Sequence, residues 1–272
     1  MARSRLLPPA FLAGLLALSP QPAAAETLLA RYVVRAAGLH VMDVEAQFDL
    51  DGPRYRVRAH IRTTGLAGVF AHGDHVTSVE GEWRGGEPAP LRYRAEGVWR
   101  GGQRAVVLDW PSPGQPVLRR LEPPNEGERE PVPEALMRNT TDALSALARL
   151  SRTVARTGRC DGTVAVYDGR RRVDYTAASA GRQTLPAEGG FAGEALRCTV
   201  ESRLLAGRRI EQDAEEARRP QIASVWLAPP LPGRDPIPVR VELPNRWFGT
   251  TRAVLVRVEP LPSGQEVAQQ RR

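Results

Sequence analysis

Along residues 40–50 apolar and polar side chains alternate. Met42, Val44, Ala46, Phe48 and Leu50 take one set of positions, and Asp43, Glu45, Gln47 and Asp49 take the other. Residues 53–62 continue the pattern, with Tyr55, Val57, Ala59 and Ile61 set against Arg54, Arg56, Arg58, His60 and Arg62. A period of two sends successive side chains to opposite faces of a strand, so both segments read as half-buried strands. Between them lies Asp51-Gly52, a dipeptide favoured in two-residue hairpin turns. That turn predicts the wet-face pairs Asp49–Arg54, Glu45–Arg58 and Asp43–His60, and the apolar pairs Phe48–Tyr55, Ala46–Val57 and Met42–Ile61. Such cross-strand pairs contribute about 0.2–1 kcal/mol each. The basic stripe is therefore explained as the wet face of a sheet, partnered by the acidic stripe beside it.

The alternation recurs in 75–84 and 91–100, which flank a Gly/Pro-rich turn. The register expected there sets Glu82 against Arg92 and Glu80 against Arg94, and puts Val79, Gly81 and Trp83 on one face with Tyr93, Ala95 and Trp99. A further strand spans 103–110, and Pro111 to Pro133 reads as a proline-rich connection with a short strand or turn inside it. One helix follows. Asn139, Thr140 or Thr141 can cap it, Asp142 suits its first turn, and Leu144, Leu147, Ala148 and Leu150 recur at helical spacing as far as Val154. Strands resume at 162–168, 172–178, 195–206, 222–229, 236–243 and 251–259, with Asp168-Gly169 marking another hairpin turn. The fold class expected is mainly β: a single antiparallel, strongly curved sheet or open β-barrel with one inserted α-helix. Residues 26–260 read as one barrel-like domain and 261–272 as a flexible tail.

The N-terminus changes the setting. Arg3 and Arg5 precede an apolar run from Leu6 to Leu18, and the small residues Ala23-Ala24-Ala25 follow. A basic end, a short apolar core and small residues at the cut are the parts of a secretion signal. The run is too short and too broken by proline to span roughly 30 Å of hydrocarbon. Residues 1–25 are thus expected to be removed, leaving a soluble periplasmic chain with no transmembrane segment. The formal charge of +7 would invite a nucleic-acid reading, but all 38 basic residues are arginine and none is lysine. That absence looks like a bias of composition, and export argues against nucleic acid as a partner. Cys160 and Cys198 are the two cysteines. In an oxidising compartment two cysteines in one domain are expected to pair, the alternative being two separate buried thiols.

Candidate chemistry is sparse. His72, Asp74 and His75 are metal ligands in kind, but His72 and His75 point to opposite faces of a strand unless Gly73 turns the chain, so no metal is assigned. Arg170-Arg171-Arg172 beside the Asp168-Gly169 turn could clamp a phosphate or carboxylate, or simply form a solvated hairpin. There is no G-x-S-x-G, H-E-x-x-H, P-loop or G-x-G-x-x-G. No catalytic residue and no cofactor are assigned.

The run Cys160 to Tyr175, containing Tyr167-Asp168-Gly169-Arg170-Arg171-Arg172, resembles the signature of an exported bacterial family known as domain of unknown function number 3108. Tyr32 to Leu39, Cys198, Val225-Trp226-Leu227-Ala228 and Pro238-Val239-Arg240-Val241 are similar too. The resemblance implies a periplasmic, all-β, barrel-like domain with an inserted helix, and it supplies no catalytic residues.

Two functional expectations follow. In the first, the inner aromatic face of Phe48, Tyr55, Trp83, Tyr93 and Trp99 walls a pocket for an apolar or amphipathic envelope ligand such as a lipid. In the second, the same face is packed core and the protein is a structural or interaction partner in the envelope. Oligomeric state and ligand identity are not legible at this level.

Overall fold

The computed structural model describes residues 27–65, 68, 72–245 and 249–261. The expected export signal, residues 1–25, and the expected tail beyond Leu261 lie outside the described residues. The strands are β1 (Thr27–Ala36), β2 (Leu39–Asp49), β3 (Arg54–Thr63), β4 (Gly73–Arg84), β5 (Glu87–Trp99), β6 (Gly102–Ser112) and β7 (Gln115–Glu122). The connection that follows carries α1 (Glu134–Met137) and α2 (Ala143–Thr157). Next come β8 (Gly162–Tyr167), β9 (Arg172–Leu185), β10 (Gly193–Ala206), α3 (Ala214–Arg218), β11 (Gln221–Ala228), β12 (Ile237–Asn245) and β13 (Gly249–Leu261).

All thirteen strands form one antiparallel sheet, ordered β7-β6-β5-β4-β3-β2-β1-β13-β12-β11-β10-β9-β8. This is an up-and-down meander whose first and last strands pair in the middle. It breaks between β7 and β8, where a helical connection replaces a hairpin. The fold is the curved, unclosed sheet with an inserted helix that the alternation predicts.

Strand faces follow the predicted parity, but two registers differ. Asp49 pairs with Arg56 and Phe48 with Val57, a shift of two residues from the expected hairpin. Leu50 is buried at the barrel end and Pro53 has no N–H to give a ladder, so the loop runs from Leu50 to Pro53 instead of two residues. The shifted register still sets Asp49 against Arg56 and Asp43 against Arg62, and each charged stripe also has partners on its other side. Arg31 of β1 holds Glu45 at 3.1 Å, and Arg54 and Arg56 of β3 lie 3.8 and 3.9 Å from Glu82 and Glu80 of β4. In the β4–β5 hairpin Gly85 and Gly86 form the two-residue turn, with φ of 62° and 89° that suit glycine. A bulge at Glu80/Gly81 then sets Glu80 against Arg92 and Val79 against Tyr93.

Helix α2 begins at Asp142, whose carboxylate accepts from the Leu144 and Ser145 amides, each at 2.9 Å. It ends at Gly158, in the left-handed conformation at φ 67°. Its deepest stripe is Ser145, Ala148 and Ser151, all 0% exposed, flanked by the partly buried Leu144 and Leu147. The leucine spacing locates the helix, but these small residues are what let it press against the sheet. Ser145 and Ala148 face Tyr55, Val57 and Val79 on one half of the sheet, while Val154 and Leu150 pack with Leu196 and Leu227 on the other. A helix that touches both halves lies in the concavity between them. The Cys160–Cys198 disulfide ties the end of the helical connection to β10.

Candidate functional site

The inner aromatic residues divide into two groups. Phe48 and Tyr55 are 4% and 1% exposed and sit in the packed core. The Tyr55 hydroxyl donates to Ser145 Oγ at 2.7 Å, and Ser145 in turn donates to Asp142. Burial pushes the Asp142 carboxyl up against the donors that hold it down. The Trp83 ring packs against Tyr55 with centroids 4.8 Å apart and planes tilted by 45°, and it carries the Arg152 guanidinium 4.2 Å from its centroid. Tyr55 and Trp83 thus contact α2, whereas Phe48 lies with Leu28, Leu50 and Ile237.

Trp99 is only partly buried, and Tyr93, although 7% exposed and part of the same core cluster, stands at its edge. With His75, Thr77, Ala95 and Val106 they wall a cavity of about 410 Å³ at the β4–β6 side of the concave face. Trp99 lies flat over Gly73, its cross-strand partner, where a Cβ would stand 2.6 Å from the ring. The glycine gives the ring a fixed seat, so this wall is preorganised. Burial lowers His75 below its ordinary value, with Asp74 opposing and His60 assisting.

A second cavity, about 280 Å³, lies toward β9 and β10 and includes Tyr175, Ser202, Gln212 and Arg219. Arg129, Arg171 and Arg209 line both cavities. They come from three separate segments: the helical connection, the β8–β9 turn and the chain after β10. Together the two linings hold six arginines (104, 129, 170, 171, 209 and 219) against the two carboxylates of Glu96 and Asp168. Glu96 is held by Arg120 at 3.3 Å. Asp168 accepts the amides of Arg170 and Arg171 and the Arg171 guanidinium at 2.7–2.9 Å, which fixes the turn and aims Arg171. Arg104 is neutralised by Glu128 at 3.1 and 3.2 Å. Arg129 donates to the Gly207 carbonyl at 2.8 Å and forms no ion pair among the described residues, and Arg209 forms none either. Burial, then the Arg171 and Arg209 guanidiniums, push the Arg129 guanidinium down to about 10. Burial is the main cause, the neighbouring guanidiniums add to it, and Asp168 opposes it.

The three consecutive arginines thus have separate fates. Arg170 crosses the β7–β8 break and donates to Glu122 O, Pro123 O and Asn125 Oδ1 at 2.6–3.1 Å. Arg171 faces the cavities. Arg172 is 8% exposed and turned away, bonded to Val173 O and Asp174, so no three-arginine clamp forms. The cluster at 72–75 does not assemble: Asp74 bonds His60 at 2.6 Å, His75 faces the larger cavity and His72 is exposed. Sequence reasoning did not single out Arg129 or Arg209, and neither carries a local signal beyond being one arginine among many.

The family profile described as "Protein of unknown function (DUF3108)" matches residues 31–256. The chain belongs to the DUF3108 family. Among solved structures, this DUF3108 domain is similar to one described as a beta-barrel-like protein of domain of unknown function DUF1849, from Brucella abortus. The TM-score is 0.53 at 14% identity, over 88% of this chain and 99% of that one. At that identity the likeness concerns the fold alone. No curated protein matches the DUF3108 chain.

Proposed function

We propose that this DUF3108 domain is a periplasmic binding or carrier module for an amphipathic, acidic envelope molecule such as a lipid. The observation that carries this reading is the cavity of about 410 Å³ bounded by Tyr93, Ala95, Trp99 and Val106 on one side and by guanidinium groups on the other. Ligand sites of this size are commonly apolar walls with a few polar groups that fix orientation. The apolar wall takes the chain or ring of the ligand, and the cations take its acidic end. Export, read from residues 1–25, supports an envelope setting for such a molecule. Among the described residues no helix is long and apolar enough to cross a membrane.

Native mass spectrometry of the protein extracted from the periplasm of its own cells tests this. The expected result is a co-purifying mass that organic solvent removes. A bare protein mass, together with no uptake of added amphiphile, would remove the carrier reading. It would favour an envelope structural protein, for which the packing of Tyr55 and Trp83 against α2 is the supporting observation.

A further inference from the structure

Arg129 and Arg209 meet across a short antiparallel bridge between the helical connection and the segment after β10. Glu130 N donates to Arg208 O at 2.9 Å and Ile210 N donates to Glu128 O at 3.1 Å, so both arginines stand on paired backbone. Gly207 fastens this bridge to the turn that bears Arg171. Its carbonyl accepts from Arg129 at 2.8 Å. Its α-carbon, at φ 83°, lies so close to the turn that a Cβ would be 2.1 Å from Arg170 O and 2.8 Å from Arg171 Cα. No side chain but hydrogen fits there. Three guanidinium-bearing segments are therefore locked to one another before any ligand arrives. Arg171 is the one of the three that has a carboxylate partner, Asp168, and its side chain remains 46% exposed.

We propose that Arg129, Arg171 and Arg209 form a phosphate-binding site where the two cavities meet. Guanidinium groups match phosphoryl oxygens, and three of them from three segments suit a group with three terminal oxygens better than the two oxygens of a carboxylate, even with Arg171 Nε and Nη2 given to Asp168 and Arg129 Nη1 to Gly207 O. The ligand is then a phosphomonoester or diphosphate whose apolar part extends along Tyr93 and Trp99. That describes a lipid headgroup; free inorganic phosphate, which shares the phosphoryl chemistry and has no apolar part, would use the arginines alone. The site deepens the carrier reading and rests on it for the apolar part alone, since the arginine cluster stands on its own geometry.

Calorimetric titration of the full mature chain separates these possibilities. The probes are inorganic phosphate, dihexanoyl phosphatidic acid, hexanoate and an uncharged monoacylglycerol, tested on wild type, Arg129→Gln, Arg209→Gln and the control Arg138→Gln. Arg209 has no ion pair among the described residues, so Arg209→Gln is expected to fold, as thermal unfolding checks. The expected result is that phosphatidic acid binds wild type and the control alike, and that each cavity variant weakens it about tenfold or more. Monoacylglycerol affinity should stay unchanged in all four proteins. Phosphatidic acid binding unaffected by either cavity variant overturns the site, as does hexanoate binding as tightly as phosphatidic acid. Arginine-dependent binding of inorganic phosphate, without either lipid, keeps the site, assigns it to free phosphate and overturns the lipid-carrier reading. Monoacylglycerol binding without arginine-dependent phosphate or phosphatidic acid binding does the reverse. No binding of any probe overturns both.

Discussion

Gly81 is the position where one methyl group tests the packing most sharply. It lies directly opposite Tyr55 in the β3–β4 ladder, and a Cβ there would stand 2.3 Å from the tyrosine ring and its hydroxyl. The ring cannot move aside freely: it is 1% exposed, packs against Trp83 and bonds Ser145 of α2. Overpacking of a core contact costs about 1–3 kcal/mol, and loss of the Tyr55–Ser145 hydrogen bond adds about 1 kcal/mol. Gly81→Ala is thus expected to destabilise the protein by about 2–4 kcal/mol, even though alanine is normally favoured over glycine in a strand by about 0.5–1 kcal/mol. The same change in a Tyr55→Val background meets no ring, so it should be neutral or stabilising there. The assay is urea unfolding followed by tryptophan fluorescence on wild type, both single variants and the double variant, read as a coupling energy. An equal cost of Gly81→Ala in both backgrounds would refute the idea that Tyr55 is seated on Gly81 beneath the helix.

Three other expectations concern stability. Replacing both Cys160 and Cys198 by alanine should cost about 4 kcal/mol by loop-closure entropy, given their separation of 38 residues. A urea midpoint insensitive to this change, or free thiols in the denatured, unreduced protein, would contradict it. His75 is lowered in the folded state, so its neutral form contributes stability above the unfolded value near 6.5 that is lost as pH falls through the folded one. His75→Gln should therefore lose less stability than wild type between pH 7.5 and 5.5, and equal losses would count against burial of His75. Asp142→Ala should cost about 2 kcal/mol, as loss of a helix cap together with its bond to Ser145. Asp142→Asn should recover most of that in the same unfolding assay, and a variant as weak as alanine would argue that capping is not the residue's role.

The parity of each strand is legible from sequence because it is local: a period of two puts Phe48, Tyr55, Val79 and Tyr93 on one face whatever their partners. Register is not local. It depends on how the loop closes, and a buried Leu50 and a donor-less Pro53 override the turn preference of Asp51-Gly52. The helix is legible from its leucines, but its closest contact runs through Ser145, Ala148 and Ser151, which a hydrophobicity pattern passes over. The aromatic face is legible as a set and not as its division. Which of these rings reach the cavity and which are covered on every side depends on the three-dimensional packing of the sheet and α2, a tertiary fact. The glycines opposite Tyr55 and Trp99 are the trace it leaves in the sequence. Arg171 stands beside a turn that attracts notice, whereas Arg129 and Arg209 join it only because the β7–β8 break brings three distant segments together.

On the proposed function, one part of the concave face is occupied by α2 and another part takes an amphipathic ligand. Photo-crosslinking with a diazirine-bearing phosphatidic acid, mapped by peptide mass spectrometry, tests it most directly. Labels are expected on the β4–β6 wall, at residues such as Tyr93, Val98, Trp99 and Val106, and none on Phe48 or Tyr55. Labels confined to the outer face of the sheet, or no labelling above that of the denatured chain, would contradict it.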